Sequence, residues 1–284
     1  LNVDWTQGRF DRSQCPAAVG FKDEILVFLH TGGAQAPPGY ASALEGTTVM
    51  SKAPTKVLGV LGGMGPAATV DFLAKLQAFT PAERDQDHIR VIVDINPQVP
   101  DRNDPFAKPG PVLAEMAGAL RGAGAEVLAI ACNGAHAYAD LISRSAGLPL
   151  VDMIGTAAHA ARETGARRAG VLGARDAIKL YREYLAAQGM GLVALPPEQQ
   201  EVFMSLLGRI KAGDRGPEVR TGMAALARAL VADGAEAVIA GCTEVPLVLS
   251  QGDLRQPLID PGELLARRCV AVCLGLEAVP VLEA

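Results

Sequence analysis

With 284 residues the chain is long enough for one large domain or two of ordinary size, and 49% hydrophobic with 20% charged residues is the balance of a folded globular protein, not a disordered one. A formal net charge of -5 without a basic cluster gives no pull toward nucleic acid or an anionic membrane, so any anionic ligand must be met by individual cations. No apolar run of roughly 18 residues predicts a membrane span and no leader pattern predicts export, which makes a cytoplasmic location the expectation.

Residues 1–49 differ from the rest. They hold the one tryptophan, Trp5, and the loop-like "HTGGAQAPPGY", and they precede Met50 and "SKAPTK", which reads like an ordinary protein start. The expectation is a flexible, dispensable extension reaching to about residue 55. From Lys56 onward, short branched runs alternate with helical patterns: "KVLGVLG", "RVIVDI", "EVLAIA" and "LPLVD", then "RAGVLG", "GLVAL", "EAVIAG" and "QPLID". Such alternation predicts parallel α/β architecture.

The pattern also repeats. "GVLG" at 59 recurs at 170, "GAE" at 124 recurs at 234, and "PLVD" at 149 returns as "PLID" at 257, offsets of 111, 110 and 108. Three matches in register predict an internal duplication. The expected fold is therefore two pseudo-symmetric α/β domains, each a four-stranded, mostly parallel sheet flanked by helices, with the active site in the cleft between them. Residues 56–153 with 262–284 form the first and residues 154–261 the second. Asp152 and Asp260 close the last strand of each unit and read as helix caps; "DPGE" at 260–263 adds a proline at the first helical position and a capping-box glutamate.

Five cysteines, Cys15, Cys132, Cys242, Cys269 and Cys273, are odd in number and dispersed, and read as thiols rather than a disulfide framework. Cys269 and Cys273 share one face of an apolar helix and read as core. Cys132 and Cys242 differ: each ends a buried strand at matching repeat positions, where parallel sheets expose ligand sites, just before a helical segment whose N-terminus would favour thiolate. Two thiols facing each other across a small molecule can do what one cannot. A thiolate removes a proton from carbon while the opposite thiol returns one to the other face, inverting a stereocentre with no metal or organic cofactor.

The motifs "GVLGGMGPAATVDF" (59–72), "RDQDH" (84–88), "NPQVPDR" (96–102), "ACNGAH" (131–136), "KAG" (211–213) and "AGCTEVPLVL" (240–249) occur in this order, and through them the chain resembles the cofactor-independent aspartate/glutamate racemase family, closest to its aspartate racemase branch. Glu244 follows "CT" where glutamate racemases typically carry histidine, which disfavours that branch. The resemblance implies an isomerase that needs no pyridoxal phosphate and takes an amino-acid substrate, and it implies a homodimer. It makes Cys132 and Cys242 the acid/base pair. It puts Asn133, Thr243 and nearby backbone amides on the substrate's amino and carboxylate groups, with Met64, Gly65, Gly134 and Glu244 lining the site. Arg102 and Lys211, with Gln98 nearby, match the family's contacts to a side-chain carboxylate.

Two departures from the family bear on substrate. Gly134 stands where a threonine is usual, and "GARDAI" (173–178) replaces a Thr-Gly-Thr type loop, leaving Arg175 as an alternative anion contact. Racemisation of glutamate or a hydantoin, decarboxylation, cis-trans isomerisation, or noncatalytic amino-acid binding are the alternatives; binding alone would need neither thiol. A dinucleotide site is suggested by "GMGPAA" (63–68), which fits G-x-G-x-x-A after a strand, but Pro66 lies within that loop, Asp94 comes later than a ribose-binding acid should, and the second unit has no such loop.

Overall fold

Three of the branched runs, over Leu58–Gly62, Val127–Ile130 and Ala237–Ile239, become strands buried along their whole length, as parallel strands covered on both faces are. The computed structural model describes residues 26–27, 54–101, 104 and 106–282. One sheet contains β1 (Leu26–Val27), β2 (Leu58–Gly62), β3 (Val91–Ile95) and β4 (Val127–Ile130) in the order β1-β3-β2-β4. All its pairings are parallel except that of β1 with β3, and Leu150 adds a single parallel bridge to Leu128. The other sheet contains β5 (Arg168–Val171), β6 (Gly191–Val193), β7 (Ala237–Ile239) and β8 (Leu258–Ile259), all parallel, in the order β6-β5-β7-β8. Apart from β1, the expected extension over residues 1–49 lies outside the described residues.

The repeated glycine of "GVLG" has a packing reason. A Cβ on Gly59 would lie 2.8 Å from the Ala125 Cβ, and one on Gly170 would lie 2.9 Å from the Leu230 Cβ, so each first strand admits the segment packed on it only because the side chain is missing. On β2 the alternation is then clean. Leu58 and Val60 face one core with Leu265, Cys269 and Cys273, whereas Leu61 faces another with Leu113 and Leu120. Cys269 and Cys273 are fully buried, as their apolar setting predicts.

Eight α-helices flank the sheets: α1 (Pro66–Phe79), α2 (Pro109–Gly122), α3 (Ala139–Ala146), α4 (Met153–Glu163), α5 (Arg175–Ala187), α6 (Pro197–Lys211), α7 (Pro217–Ala232) and α8 (Pro261–Cys273) among the described residues. Five of them open on proline, whose missing N–H costs nothing in a first turn. Asp152 caps α4 through the N–H groups of Ile154 and Gly155, and Asp260 caps α8 through those of Gly262 and Glu263. The capping-box role expected of Glu263 is not realised: its carboxylate turns along the helix to Arg267 at 2.9 Å, a pairing the i, i+4 spacing offers.

Helix α8 returns to the first sheet, where the Cys273 carbonyl accepts the N–H of Thr55 at 2.7 Å. It is fastened to α1 by Lys75, whose ammonium sits 2.5 Å from Asp71 and 2.7 Å from the capping residue Asp260. Burial opposes that charge, but the carboxylates of Asp260 and Asp71 overcome it and hold the lysine above its ordinary value. Among the described residues no helix is long and apolar enough to cross a membrane.

Candidate active site

The carboxyl ends of the parallel strands carry the chemistry-bearing residues. A cleft of about 230 Å³ is lined by the loop after β2 (Gly63, Met64, Gly65, Pro66, Ala67), by Pro97, Val99 and Asp101 after β3, and by Lys211 and Glu244 from the second half of the sequence. Glu244 is 1% exposed and spans the two groups of loops. Its Oε1 accepts the Gly65 backbone N–H at 3.1 Å, and its Oε2 accepts the Cys242 thiol at 3.0 Å and the Thr243 hydroxyl at 3.4 Å. A Cβ at Gly65 would stand 2.9 Å from Glu244 Oε1 and would shift the carboxylate from this position.

Cys132 follows β4 and is 6% exposed; Cys242 follows β7 and is partly buried. Neither directly precedes an α-helix. A 3-10 turn over Gly134–Tyr138 comes after the first and one over Val245–Leu247 after the second. A turn as short as Val245–Leu247 sums few peptide dipoles and gives the Cys242 thiolate little support. The outcome there is the reverse of the one expected. Burial, then the charge and hydrogen bond of Glu244, then Cys132, push the thiol well above its ordinary value, and Lys211 opposes them. Cys242 therefore holds its proton, and both Cys132 and Lys211 lie within electrostatic reach of its sulfur.

Asn133 is 2% exposed. Its Oδ1 accepts the hydroxyl of the fully buried Tyr181 at 2.6 Å, while its Nδ2 has no hydrogen-bond partner among the described residues. His136 braces the same turn: Nδ1 donates to the Cys132 carbonyl at 2.9 Å and Nε2 accepts the Met153 N–H at 3.3 Å. One nitrogen donates and the other accepts, which defines a neutral imidazole; burial keeps it so, lowering the histidine despite the nearby Asp152.

The loop that matches G-x-G-x-x-A does not offer its amides to a dinucleotide. Gly65 N–H is bound to Glu244 and Gly63 N–H to Thr69 Oγ1 at 2.9 Å, and the Glu244 carboxylate lies where a pyrophosphate would need to sit.

Comparison with known proteins places the chain in a family. The family model for Asp/Glu/Hydantoin racemase matches residues 61–269. The chain belongs to that racemase family, and so to the isomerases. It is 26% identical over 239 residues to the broad specificity amino-acid racemase RacX of Bacillus subtilis, covering 78% of this chain and 100% of that one. It is 33% identical over 182 residues to a glutamate racemase of Synechococcus, covering 60% of this chain and 65% of that protein. Among solved structures, the aspartate racemase of Picrophilus torridus superposes with a TM-score of 0.68 at 26% identity over 78% of this chain and 95% of that one. An aspartate racemase homologue of Pyrococcus horikoshii gives 0.64 at 24% identity, covering 77% and 99%.

Of the racemase-type site residues read from the sequence, Met64, Gly65, Lys211 and Glu244 line the cleft, and Thr243 touches it through Glu244. Lys211 is exposed at the last residue of α6. Gln98 is exposed, with its N–H on Asn96 Oδ1, and only its neighbours Pro97 and Val99 line the cleft. A Cβ on Gly134 would meet nothing within 4 Å. Arg175 is exposed in the first turn of α5, and Arg102 lies outside the described residues. Asp101, His136 and Tyr181 are not singled out by the sequence. His136 stands inside a motif quoted above for its cysteine, and Tyr181 has no local signal because its partner is 48 residues away.

Proposed function

We propose that this chain is a cofactor-independent amino-acid racemase acting on aspartate or a related acidic amino acid, by two-base proton transfer between Cys132 and Cys242. The observation that carries the reading is that these two thiols end β4 and β7, strands at the same place in two similarly ordered sheets, and that Cys242 feels the charge of Cys132. Duplication of a four-stranded unit, with residues 56–153 and 262–284 in one domain and 154–261 in the other, accounts for the pairing and makes the site an interdomain cleft. A homodimer in the cytoplasm, free of pyridoxal phosphate and metal, belongs to the same reading.

In the reaction the Cys132 thiolate removes the α-proton, and the electron pair stays on the substrate as a carbanion delocalised into its carboxylate. Cys242, protonated beside Glu244, delivers its proton to the opposite face. The enzyme then holds thiol at Cys132 and thiolate at Cys242, the state in which the opposite enantiomer is processed. Asn133 and Thr243 hold the substrate's amino and carboxylate groups, while Arg102 and Lys211 meet a second carboxylate. A wider substrate range is the second reading, favoured by Gly134, where a threonine side chain is missing and a Cβ would meet nothing within 4 Å.

Incubating single enantiomers of aspartate, glutamate and neutral amino acids in deuterated buffer tests the proposal. Inversion with deuterium at Cα is the expected result. Retention of optical purity by every amino acid would sink it.

A further inference from the structure

Tyr181 is the buried side chain to which the two-thiol scheme gives no task. It lies in α5, packed over the turn after Cys132, and it is 0% exposed. Phenylalanine would fill the same volume without a polar atom to satisfy, so the hydroxyl calls for a reason. The hydroxyl makes a short bond, 2.6 Å to Asn133 Oδ1. That bond has a consequence at the other end of the amide, where Nδ2 is buried without a partner among the described residues. Native interiors rarely leave such a donor open, and this one belongs to the residue next to Cys132.

We propose that Tyr181 is a positioning residue that fixes the polarity of the Asn133 amide, turning its oxygen inward and leaving only N–H donors beside Cys132, so that this position selects a substrate carboxylate and refuses the ammonium group. The inference rests on the racemase reading of the cleft. An asparagine amide is symmetric in shape and can flip, presenting either an acceptor or a donor. A neighbour whose proton has nowhere else to go biases the choice. Tyr181 is such a neighbour: burial first, then the charges of Asp152, Asp260 and Cys242, push its phenol well above 10, so it keeps its proton, and among the described residues its hydroxyl has no hydrogen-bond acceptor besides Asn133 Oδ1. A carboxylate held by Asn133 Nδ2 lies next to Cys132 with its α-carbon close to the thiolate. The reversed amide would attract the ammonium group there and turn the reacting hydrogen elsewhere.

The test is a cycle of wild type, Y181F, N133A and the double variant, each first checked for a cooperative thermal transition. Two readouts are taken: KM and kcat for both enantiomers of aspartate, and calorimetric binding of succinate, a dicarboxylate with no amino group, which needs no turnover. Y181F is expected to raise KM and the succinate Kd about tenfold, the effect of one lost hydrogen bond at a buried acceptor, and to leave kcat within about threefold. In the N133A background the same change is expected to add less than about twofold, because nothing is left to orient. Asn133→Asp keeps an acceptor for Tyr181 but removes the donor, and should lose succinate binding while retaining thermal stability. Equal losses from Y181F in both backgrounds, or a fall in kcat with KM unchanged, would overturn the proposal and return Tyr181 to the core. Wild type that binds succinate but inverts no amino acid refutes the racemase reading instead, and the binding cycle then still decides the role of Tyr181.

Discussion

A single carboxylate, Glu244, accepts the Cys242 thiol at 3.0 Å through one oxygen and the Gly65 backbone N–H at 3.1 Å through the other. It thereby links the protonation of the second cysteine to the loop after β2. Replacing it by glutamine keeps the shape and removes the charge. In E244Q the Cys242 thiol should fall toward its ordinary value, each pKa unit giving about a tenfold larger thiolate fraction at pH 8. Site-resolved mass spectrometry after timed iodoacetamide treatment measures this. An unchanged rate of Cys242 labelling would mean that the carboxylate does not govern the thiol.

Serine at either paired position should stop inversion in both directions, because a hydroxyl is far too weak an acid to replace the thiol in a two-base exchange. The remaining thiolate is expected to exchange the α-hydrogen of one enantiomer without inverting it, so Cys132→Ser and Cys242→Ser should prefer opposite hands. Chiral chromatography combined with mass analysis in deuterated buffer separates the two events. Wild-type racemisation by either variant would refute the paired-thiol mechanism.

The two cations proposed for the second carboxylate should matter by substrate. Arg102→Ala and Lys211→Ala each remove a charge-assisted contact of roughly 1.5 to 3 kcal/mol in a partly desolvated site, about 10- to 150-fold in kcat/KM for acidic amino acids. Exposure of Lys211 places it at the lower end. Neutral amino acids should be nearly unaffected, and equal losses for both classes would assign these residues to loop structure.

Buried thiols give the protein an alkaline weakness whose sign can be worked out. Burial pushes Cys273 up to about 12, and Cys242 and Cys269 also lie well above the usual thiol value. In the unfolded chain these groups ionise near pH 8.5. Below that pH both states are protonated and the full stability is present; above it the unfolded state loses protons that the native state keeps. Each thiol then removes about 1.4 kcal/mol per pH unit, for Cys273 until the pH reaches about 12. Urea midpoints should drop between pH 7.5 and pH 10, and Cys273→Ala should make the drop shallower. The same slope in that variant would contradict the assignment.

Lys75→Met should cost about 3 kcal/mol, because it leaves Asp71 and Asp260 facing each other around a side chain that was only 5% exposed. Lys75→Met combined with Asp71→Asn and Asp260→Asn should recover part of the loss in thermal melts. No recovery would point to packing rather than charge.

The strands are legible in the sequence because strands covered on both faces must be nearly continuous apolar runs, and the repeated "GVLG" is legible because both first strands need a missing side chain at the same place. "LPLVD" reads as a strand with equal force, yet it contributes one bridge, at Leu150, because it barely pairs with its neighbour. The cysteines stand out by ending strands in register. The segment after each of them reads as a helix start, but Gly134 and Pro246 sit in turns that go only to 3-10 geometry. The bonds from Tyr181 to Asn133 and from Glu244 to Gly65 cross 48 and 179 residues, and no local pattern encodes a contact at that distance.

The return of α8 to the first sheet sets an order on the making of the protein. Leu265, Cys269 and Cys273 complete the core beneath Leu58 and Val60, and the Cys273 carbonyl receives the chain entering β2. A ribosome delivers those residues after every described strand of both sheets. The sheet begun first must wait with one face uncovered while β5 to β8, whose partners are all within about a hundred residues, can close as soon as they emerge. A nascent chain that has not yet delivered α8 therefore leaves that face of β2 without its cover, and docking of α8 is the step that closes it.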